Sequence, residues 1–229
     1  RHLFLRLAGC GFGCACCDQP EAREAPFSAM IERHPGRRDF QVWPSIMRPQ
    51  DLAERIGVLS RRLPHHALAV TGGEPLEQPE FLAALLPPAR GMGLKVLLET
   101  NGTRPDELAA LLPHVDIVSM DIKLRSATGR PMPVQAHERF LRVALSSPAE
   151  VYVKAVVSGR TTVAELRRAA GLVARAREDV PLVLQPATRV PRRPRPPKPE
   201  ALLALQAEAL RILRDVRVIP QTHKIMDQR

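Results

Sequence analysis

Apolar residues along this chain form two kinds of pattern: short continuous runs, and longer stretches in which they recur at the spacing of an α-helix. Short runs are typical of buried strands, and helical spacing is typical of helices that bury one face. The runs predict strands at residues 2–7, 67–70, 94–98, 115–120, 150–157 and 182–185, with a further short strand at 216–219. The spaced stretches predict helices at residues 50–63, 79–90, 105–112, 133–145, 161–177 and 200–214.

The alternation of strand and helix predicts an α/β fold. Six strands, counting the first, favour a parallel sheet curled into an incomplete, TIM-like barrel with the helices outside. Polar and glycine-bearing stretches recur after successive strands. Because the carboxyl ends of parallel strands share one edge, a functional site is expected there.

The 229 residues are expected to form one domain. Residues 20–50 show little periodicity and several prolines, and are interpreted as a loop or insertion with one short helix. Residues 189–199 are rich in proline and arginine, which predicts a linker to the C-terminal helix and strand. The sequence opens with Arg1 directly before the first predicted strand, so we expect residues to precede it in the natural protein.

Composition excludes several classes of function. No apolar run is long enough for a bilayer span, so no membrane partner is expected. The net charge of +10 would attract polyanions, but it is mostly arginine spread over many helices without a nucleic-acid-binding motif, so no nucleic-acid partner is expected. All four cysteines lie between residues 10 and 17, too close together for a disulfide framework, and no signal peptide is seen. A reducing, cytoplasmic location is predicted.

The cysteines favour a metal centre. Cys10, Cys14 and Cys17 follow the first strand with the spacing C-x3-C-x2-C, and Gly11 and Gly13 lie between them. Three thiolates on a short, glycine-containing loop can hold three corners of a cubane [4Fe-4S] cluster. The fourth iron would then be open to a small-molecule ligand, which is typical of a catalytic site.

A second motif, Gly72-Gly73-Glu74-Pro75, follows the next strand. In isolation it would indicate a turn between a strand and a helix. Together with the cysteine loop it resembles the radical S-adenosylmethionine (SAM) superfamily. The resemblance implies that SAM binds the open iron, and that an electron from a donor such as flavodoxin or ferredoxin splits it to release a 5′-deoxyadenosyl radical.

Further motifs narrow the resemblance. Residues 71–75, 99–103, 184–186 and 221–224 are together similar to the 7-carboxy-7-deazaguanine synthase family, radical SAM lyases of deazapurine (queuosine) biosynthesis. That family converts the pterin 6-carboxy-5,6,7,8-tetrahydropterin to 7-carboxy-7-deazaguanine by radical ring contraction with loss of ammonia. Dimers are common in the family, so a homodimer is left open.

The resemblance also implies roles for individual residues. Arg6, Thr71 and His223 would contact the substrate. An arginine in an apolar strand needs an anionic partner, which a substrate carboxylate or a structural ion pair would supply equally well. The residues that would surround SAM are Cys16, Asp18, Gly72, Gly73, Glu74, Glu99, Asn101, Asp121, Lys123 and Gln185.

Several of these positions also have structural explanations. Gln185 is a lone glutamine at a strand end, where capping of loop backbone is the commoner role. Lys154, within an apolar strand, is as consistent with a salt bridge to Asp121 or Glu99 as with a ligand contact. His223 would in isolation belong to a surface tail.

The sequence departs from the family pattern in the cysteine loop and before Arg1. Gln19 stands where the family has a threonine that ligates Mg²⁺, which puts the magnesium ion in doubt. Cys16 replaces an aromatic residue, and is interpreted as a small buried residue in preference to a competing ligand. The family's Gln-Gly-Glu-Gly motif would precede Arg1 and is missing from this sequence.

Two other functions fit parts of the sequence. Residues 121–123, in which only Lys123 matches the family's Ser-Pro-Lys, are closer to activases that make a glycyl radical on a partner protein. A zinc-binding or RNA-binding module using the basic linker is the alternative without catalysis, although adjacent Cys16 and Cys17 are awkward for tetrahedral zinc. Arg6 and the C-terminal Gln-Thr-His-Lys favour the small substrate over the activase, and nothing else in the sequence supports the module.

Overall fold

The computed structural model of the protein describes residues 1–15, 17–189 and 193–226. The predictions made for Cys16 lie outside these residues. Within them the chain forms a seven-stranded sheet in the order β1-β4-β5-β6-β7-β8-β9, in which every neighbouring pair is parallel. The strands are β1 His2–Leu7, β4 Ala67–Gly72, β5 Lys95–Thr100, β6 Ile117–Ile122, β7 Glu150–Val157, β8 Leu182–Pro186 and β9 Val216–Val218.

Helices connect successive strands, as parallel pairing requires. They are α1 Pro49–Arg62, α2 Pro79–Gly91, α3 Pro105–Leu111, α4 Arg125–Thr128, α5 Val134–Ala144, α6 Val163–Ala176, α7 Pro199–Leu210 and α8 Thr222–Ile225. The prediction of an α/β fold with a parallel, partly closed barrel is confirmed, because strands that follow one another in the chain also lie side by side in the sheet.

The two faces of the sheet differ in what covers them. On the outer face, strand residues such as Val70, Leu98 and Met120 pack with the apolar stripes of the helices into the main core. The inner face carries a smaller apolar cluster of strand residues: Ala67, Ala69, Leu97 and Ile117, with Tyr152 against them. Because side chains alternate along a strand, the inner face continues with Thr71, Glu99, Ser119, Asp121 and Lys154 toward the carboxyl ends.

Residues 20–50 are more ordered than the predicted loop. A 3-10 helix spans Pro20–Arg23, and an antiparallel hairpin pairs β2 (Ser28–Glu32) with β3 (Phe40–Pro44). The hairpin escaped prediction because its strands lie outside the main sheet and leave apolar side chains such as Val42 exposed, so their pattern is weak. Its contacts include the guanidinium of Arg55, which lies 4.0 Å from the centre of the Trp43 ring.

The proline-rich segment before α7 is attached to the sheet. The Gly159 amide, in the turn after β7, donates a hydrogen bond to the carbonyl of Arg195 at 2.8 Å. Across the described residues, none of the helices has the length and apolar character needed to cross a membrane.

Candidate active site

The two glycine-containing motifs meet at the carboxyl edge of the sheet. The register of β1 and β4 pairs Leu7 with Gly72, so the chain leaves both strands at the same level. The Gly73 amide donates to the Leu7 carbonyl at 2.9 Å, and the Glu74 amide donates to the Gly9 carbonyl at 2.7 Å. The cysteine loop is therefore built directly on the Gly-Gly-Glu-Pro turn.

This contact explains why glycine is needed at two successive positions. A Cβ atom on Gly72 would lie 2.0 Å from the Leu7 carbonyl oxygen, and Gly72 also has a φ of +143°. A Cβ on Gly73 would lie 2.0 Å from the carbonyl oxygen of Gly9. Close approach to a ligand was expected at these glycines, and the structure brings the backbone of the cysteine loop against them.

Cys10, Cys14 and Cys17 are each partly buried on this loop. A cavity of about 580 Å³ borders Cys14 and Cys17. Among the described residues no three His, Cys, Asp or Glu side chains are arranged around a single metal ion. A cubane cluster needs a different arrangement, since each thiolate binds a different iron. The three thiolates are the donor set that an iron–sulfur cluster needs, and the cavity leaves open space beside two of them.

Two side chains from the turn after β4 hold the first half of the cysteine loop. The Gly11 amide donates to Oε1 of Glu77 at 2.9 Å. Nε2 of Gln78 donates to the Ala8 carbonyl at 2.7 Å. These bonds fix the backbone on both sides of Cys10.

The second half of the loop is held by different elements. Nη2 of Arg23 donates to the Cys14 carbonyl at 2.6 Å. The Ala15 amide donates to the carbonyl of Thr128 at 2.9 Å. Thr128, at the end of α4, thus ties the cysteine loop to the segment that follows β6.

Glu74 is fully buried, and its carboxylate is occupied by protein donors. Oε1 accepts hydrogen bonds from the Leu76 amide and the Thr100 hydroxyl, and Oε2 accepts from the Asn101 amide at 2.7 Å. Burial raises the pKa of Glu74 above its ordinary value. The carboxylate predicted to face SAM thus braces the loop after β5 against the loop after β4.

Asn101 continues this brace. Its side-chain oxygen accepts from the amide of Thr103 at 3.0 Å, and its carbonyl lies 3.1 Å from Nε2 of His137. His137 is buried, and burial lowers its pKa to about 4. The ring is therefore neutral at pH 7, and Nε2 carries the proton that the Asn101 carbonyl accepts.

Charged side chains fill the carboxyl end of the inner face. Nζ of Lys123 lies 2.8 Å from Oδ2 of Asp121, and the register places Asp121 beside Lys154. Burial opposes ionisation of Asp121, but the two lysines outweigh it and lower its pKa. Burial also opposes protonation of Lys154, yet Asp121 and Glu99 raise its pKa above the ordinary value. Asp121 and Lys154 are therefore both ionised at neutral pH.

Two predicted substrate contacts lie on the same face. The register pairs Arg6 with Thr71, whose hydroxyl donates to Oε2 of Glu99 at 3.1 Å. Arg6 is exposed at this edge. Gln185 is half-buried on β8 and pairs with Val156 of β7, which places it at the other end of the same polar row.

The C-terminal motif reaches the cysteine loop. Nε2 of His223 lies 3.5 Å from Oδ2 of Asp18, and Nε2 of Gln221 donates to the same oxygen at 3.4 Å. Burial lowers the pKa of His223; the negative charge of Asp18 opposes this shift, and the positive charges of Lys224, Arg6 and Lys154 add to it. The structure thus brings His223 into contact with Asp18, and the charges of Arg6 and Lys154 are near enough to act on its ring.

Gln19 lies between the cysteines and the 3-10 helix. It is half-buried, and its carbonyl accepts a hydrogen bond from the Ala22 amide at 3.1 Å. A side-chain amide oxygen is a ligand that Mg²⁺ accepts. The contacts described for Gln19 include no second oxygen that could bind Mg²⁺ together with its side-chain oxygen.

Sequence reasoning missed four residues that shape the site: Arg23, Glu77, Gln78 and His137. His137 had a signal, since it shares a helical face with buried Phe140, Leu141 and Ala144. A polar residue within an apolar stripe usually has a hydrogen-bond partner. Arg23, Glu77 and Gln78 act on backbone groups distant in the sequence, and no local pattern points to them.

Comparison with known proteins first gives the class. Residues 5–146 match the family model described as the radical SAM superfamily. The fold is similar to that of a radical SAM methyltransferase from Sphaerobacter thermophilus, with a TM-score of 0.63 and 15% identity, over 96% of this chain and 64% of that one. The protein is a radical SAM enzyme, and this membership implies a [4Fe-4S] cluster and SAM as its cofactors.

Curated relatives then narrow the class. The chain is 38% identical to a 7-carboxy-7-deazaguanine synthase of Geobacter sulfurreducens, over all of this chain and 90% of that protein. It is 34% identical to the synthase of Methanopyrus kandleri, over 98% of this chain and 85% of that protein. The chain belongs to the 7-carboxy-7-deazaguanine synthase family, which confirms the resemblance seen in the sequence.

Proposed function

We propose that this enzyme converts 6-carboxy-5,6,7,8-tetrahydropterin to 7-carboxy-7-deazaguanine, with loss of ammonia. The observation that carries the proposal is the convergence of a cationic and polar surface at one edge of the sheet. Arg6 and Thr71 lie side by side there, and His223 approaches from the C-terminus. The similarity of the whole chain to named synthases supports the same reaction.

In the proposal, the cluster is held by three thiolates, those of Cys10, Cys14 and Cys17. The SAM site is lined by Gly73, Gln185 and the Asp121–Lys123 pair. When bound, the cluster and SAM supply a 5′-deoxyadenosyl radical. The Asp121–Lys123 ion pair offers charges complementary to the ammonium and carboxylate of the methionyl group. Glu74 and Asn101 act indirectly, because their bonds to the protein position the surrounding loops.

The substrate carboxylate is proposed to bind the Arg6 guanidinium. Arginine matches a carboxylate with two parallel hydrogen bonds, and Arg6 lies at the open edge of the inner face where a ligand can reach it. Thr71, fixed by its bond to Glu99, presents its hydroxyl oxygen beside it. Neutral His223 contributes one donor or acceptor from the opposite side.

Residues of this chain also keep competing reactions out. A radical must be held close to one C–H bond and away from water, since proximity and exclusion of solvent are what the protein adds to the cofactors. The C-terminal segment contacts Asp18, next to Cys17, and so lies against the end of the cysteine loop. The proposal needs no magnesium ion at Gln19, and three cluster-binding thiolates suit the reducing conditions of the cytoplasm.

Binding of the pterin tests the substrate assignment. Under anaerobic conditions the reconstituted enzyme should bind 6-carboxytetrahydropterin and reject tetrahydropterin that lacks the carboxylate. Arg6→Ala should weaken binding of the carboxylated pterin by about tenfold or more, since a hydrogen bond to a charged group contributes about 1.5–3 kcal/mol. Equal binding of both pterins by the unaltered enzyme would remove this substrate from the proposal.

A further inference from the structure

Lys154 is an inward-facing lysine to which the proposed function assigns no contact. It lies on β7, and the register pairs it with Asp121 of β6, so its side chain leaves the sheet on the inner face. The sequence is equally consistent with a salt bridge from this lysine to Asp121 or Glu99 and with a ligand contact. The structure distinguishes these two explanations.

The ammonium of Lys154 has no direct protein partner in the part of the chain that the structure describes, where it forms neither a hydrogen bond nor an ion pair. Oδ2 of Asp121 is occupied by Nζ of Lys123 at 2.8 Å. Oε2 of Glu99 accepts the hydroxyl of Thr71 at 3.1 Å. Burial opposes protonation of Lys154, yet both carboxylates raise its pKa, so they act on the ammonium from beyond ion-pair distance.

A polar group turned into an enclosed surface is unfavourable unless a partner meets it. The other carboxylate oxygen of Asp121, Oδ1, is also buried, and within the described residues it too has no hydrogen-bond partner. A donor on β7 and an acceptor on the neighbouring strand β6 thus lack partners side by side. Unsatisfied buried groups in one place indicate a surface that a ligand completes.

Lys154 faces the same space as the proposed substrate contacts. Burial lowers the pKa of His223, and the positive charges of Arg6 and Lys154 are both near enough to add to this shift. Four inter-strand intervals separate β1, which carries Arg6, from β7, which is about 19 Å along the sheet. Two long side chains that point inward from these strands leave room for a bicyclic ring between them.

We propose that Lys154 binds the 4-oxo group of the pterin, and so selects a 4-oxo ring over a 4-amino ring. This inference rests on the proposed function, because it adds a contact to the substrate assigned there. The oxygens of that substrate are those of the carboxylate, which the proposal gives to Arg6, and the 4-oxo oxygen. A lysine ammonium has three donors and no acceptor, so it binds an oxo oxygen but cannot accept the hydrogens of an amino group.

The inner face below Lys154 suits the ring of such a ligand. Tyr152, two residues earlier on the same strand, is half-buried against the apolar cluster that includes Ala69, Leu97 and Ile117. A ring that rests on this surface keeps water from the ammonium, and a hydrogen bond to a charged group is stronger where water is excluded. A site built to bond a substrate oxygen also rejects an analogue that lacks it.

Binding of two pterins that differ at one position tests the proposal. The probes are 6-carboxytetrahydropterin and its 4-amino counterpart, titrated without oxygen into enzyme that holds the reconstituted cluster and SAM. The unaltered enzyme should bind the 4-oxo compound at least about tenfold more tightly than the 4-amino compound. Lys154→Met keeps the long apolar stem but has no donor. It should bind the 4-oxo compound about tenfold or more less tightly, and should lose most of the preference.

Two further variants make the readout specific. In Lys154→Gln the amide can donate to an oxo group or accept from an amino group, so this variant should bind the two compounds within a few-fold of each other. Lys95→Met makes the same change as Lys154→Met at an exposed position, the first residue of β5, and should keep the preference of the unaltered enzyme. Iron content and thermal unfolding show that each variant has folded.

The outcomes separate this inference from the proposed function. An unchanged preference in Lys154→Met, with both compounds bound equally less tightly, would show that the lysine only neutralises Asp121 and Glu99, and would overturn the inference. A loss of SAM affinity with unchanged pterin binding would also overturn it. If Lys154→Met loses the preference while the unaltered enzyme forms no deazapurine from the 4-oxo compound, the reaction is wrong and the contact stands. Binding of neither compound by the unaltered enzyme would overturn both.

Discussion

Single residues determine whether the cysteine loop can pack against the Gly-Gly-Glu-Pro turn. Gly73 is the sharpest case, because its amide binds Leu7 and its Cα faces the carbonyl of Gly9 at a distance that excludes any side chain. The sequence motif predicted a SAM contact at this glycine, and the structure shows that backbone packing by itself requires glycine there.

Gly73→Ala should therefore displace the cysteine loop. The added methyl group would lie 2.0 Å from the carbonyl oxygen of Gly9 and 2.7 Å from that of Ala22, so backbone must move. We expect the reconstituted variant to hold less than about half of the normal iron, and to lose about 1–3 kcal/mol of unfolding free energy. Gly91→Ala in α2 is the control, since a Cβ there meets nothing within 4 Å. Normal iron content in Gly73→Ala would contradict the account.

His137 makes a separate prediction about pH. Its pKa is about 4 in the folded protein, against an ordinary value of 6.5, so the unfolded chain binds more protons between these values. Its contribution to stability is present above pH 6.5 and is lost as pH falls toward 4. Between pH 7.5 and 5.0 the loss should be about 2 kcal/mol.

Urea unfolding of the wild type and His137→Gln at these two pH values measures that loss. Glutamine keeps a donor for the Asn101 carbonyl but does not titrate. The variant should lose less stability on acidification than the wild type by about 2 kcal/mol. The same pH dependence in both proteins would show that His137 is not the titrating group.

Individual elements position the site through contacts with loops that are distant in the sequence. The turn between β4 and α2 supplies Glu77, whose carboxylate accepts the Gly11 amide and lies 3.6 Å from Arg104. One segment thus connects the cysteine loop, the Gly-Gly-Glu-Pro turn and the loop after β5. This arrangement makes the turn a support for the cluster.

Removing the acceptor at Glu77 should loosen the cluster. Glu77→Ala leaves the Gly11 amide without its partner, and Glu77→Gln keeps an oxygen in place. We expect an iron chelator to extract the cluster several times faster from the alanine variant, in line with about 1 kcal/mol for one hydrogen bond, and little change in the glutamine variant. Equal rates in the wild type and both variants would show that the turn does not hold the loop.

The C-terminal element should act on substrate instead of the cluster. His223→Ala removes the ring that approaches Asp18 and the inner face, while Ile225, in the same short helix, is 72% exposed. We expect His223→Ala to raise the KM for the pterin about tenfold with unchanged iron content, and Ile225→Ala to change neither. A loss of iron in His223→Ala would assign the helix to the cluster instead.

At the scale of the whole molecule, the sequence was sufficient for the architecture. The largely apolar run of residues 150–157 coincides with β7, because a strand buried on one face and lining a barrel on the other leaves a strong pattern. The hairpin of β2 and β3 was missed, since it is not part of that pattern. The same distinction applies to the residues of the site. Motifs in the sequence pointed to Cys10, Gly73 and Arg6. The roles of Glu77, Gln78 and His137 depend on contacts across the fold, which no local sequence pattern contains.

The electrostatic layout of the whole chain also became visible only in three dimensions. A net charge of +10 spread along the sequence suggested no particular partner. The fold joins the loops after β6, β7 and β8 through the Ser126–Thr161 and Gly159–Arg195 hydrogen bonds, and Thr128 ties the first of these loops to the cysteine loop. The amino-acid composition of these loops makes their charge positive, and the topology of the sheet places them next to one another.

Product formation by the reconstituted enzyme is the most direct test of the account. The enzyme is incubated without oxygen with SAM, dithionite and 6-carboxytetrahydropterin, and the products are identified by mass spectrometry. The account predicts 7-carboxy-7-deazaguanine together with 5′-deoxyadenosine, and neither product from Cys14→Ala. Release of 5′-deoxyadenosine by the wild type with no deazapurine product would contradict the proposed reaction.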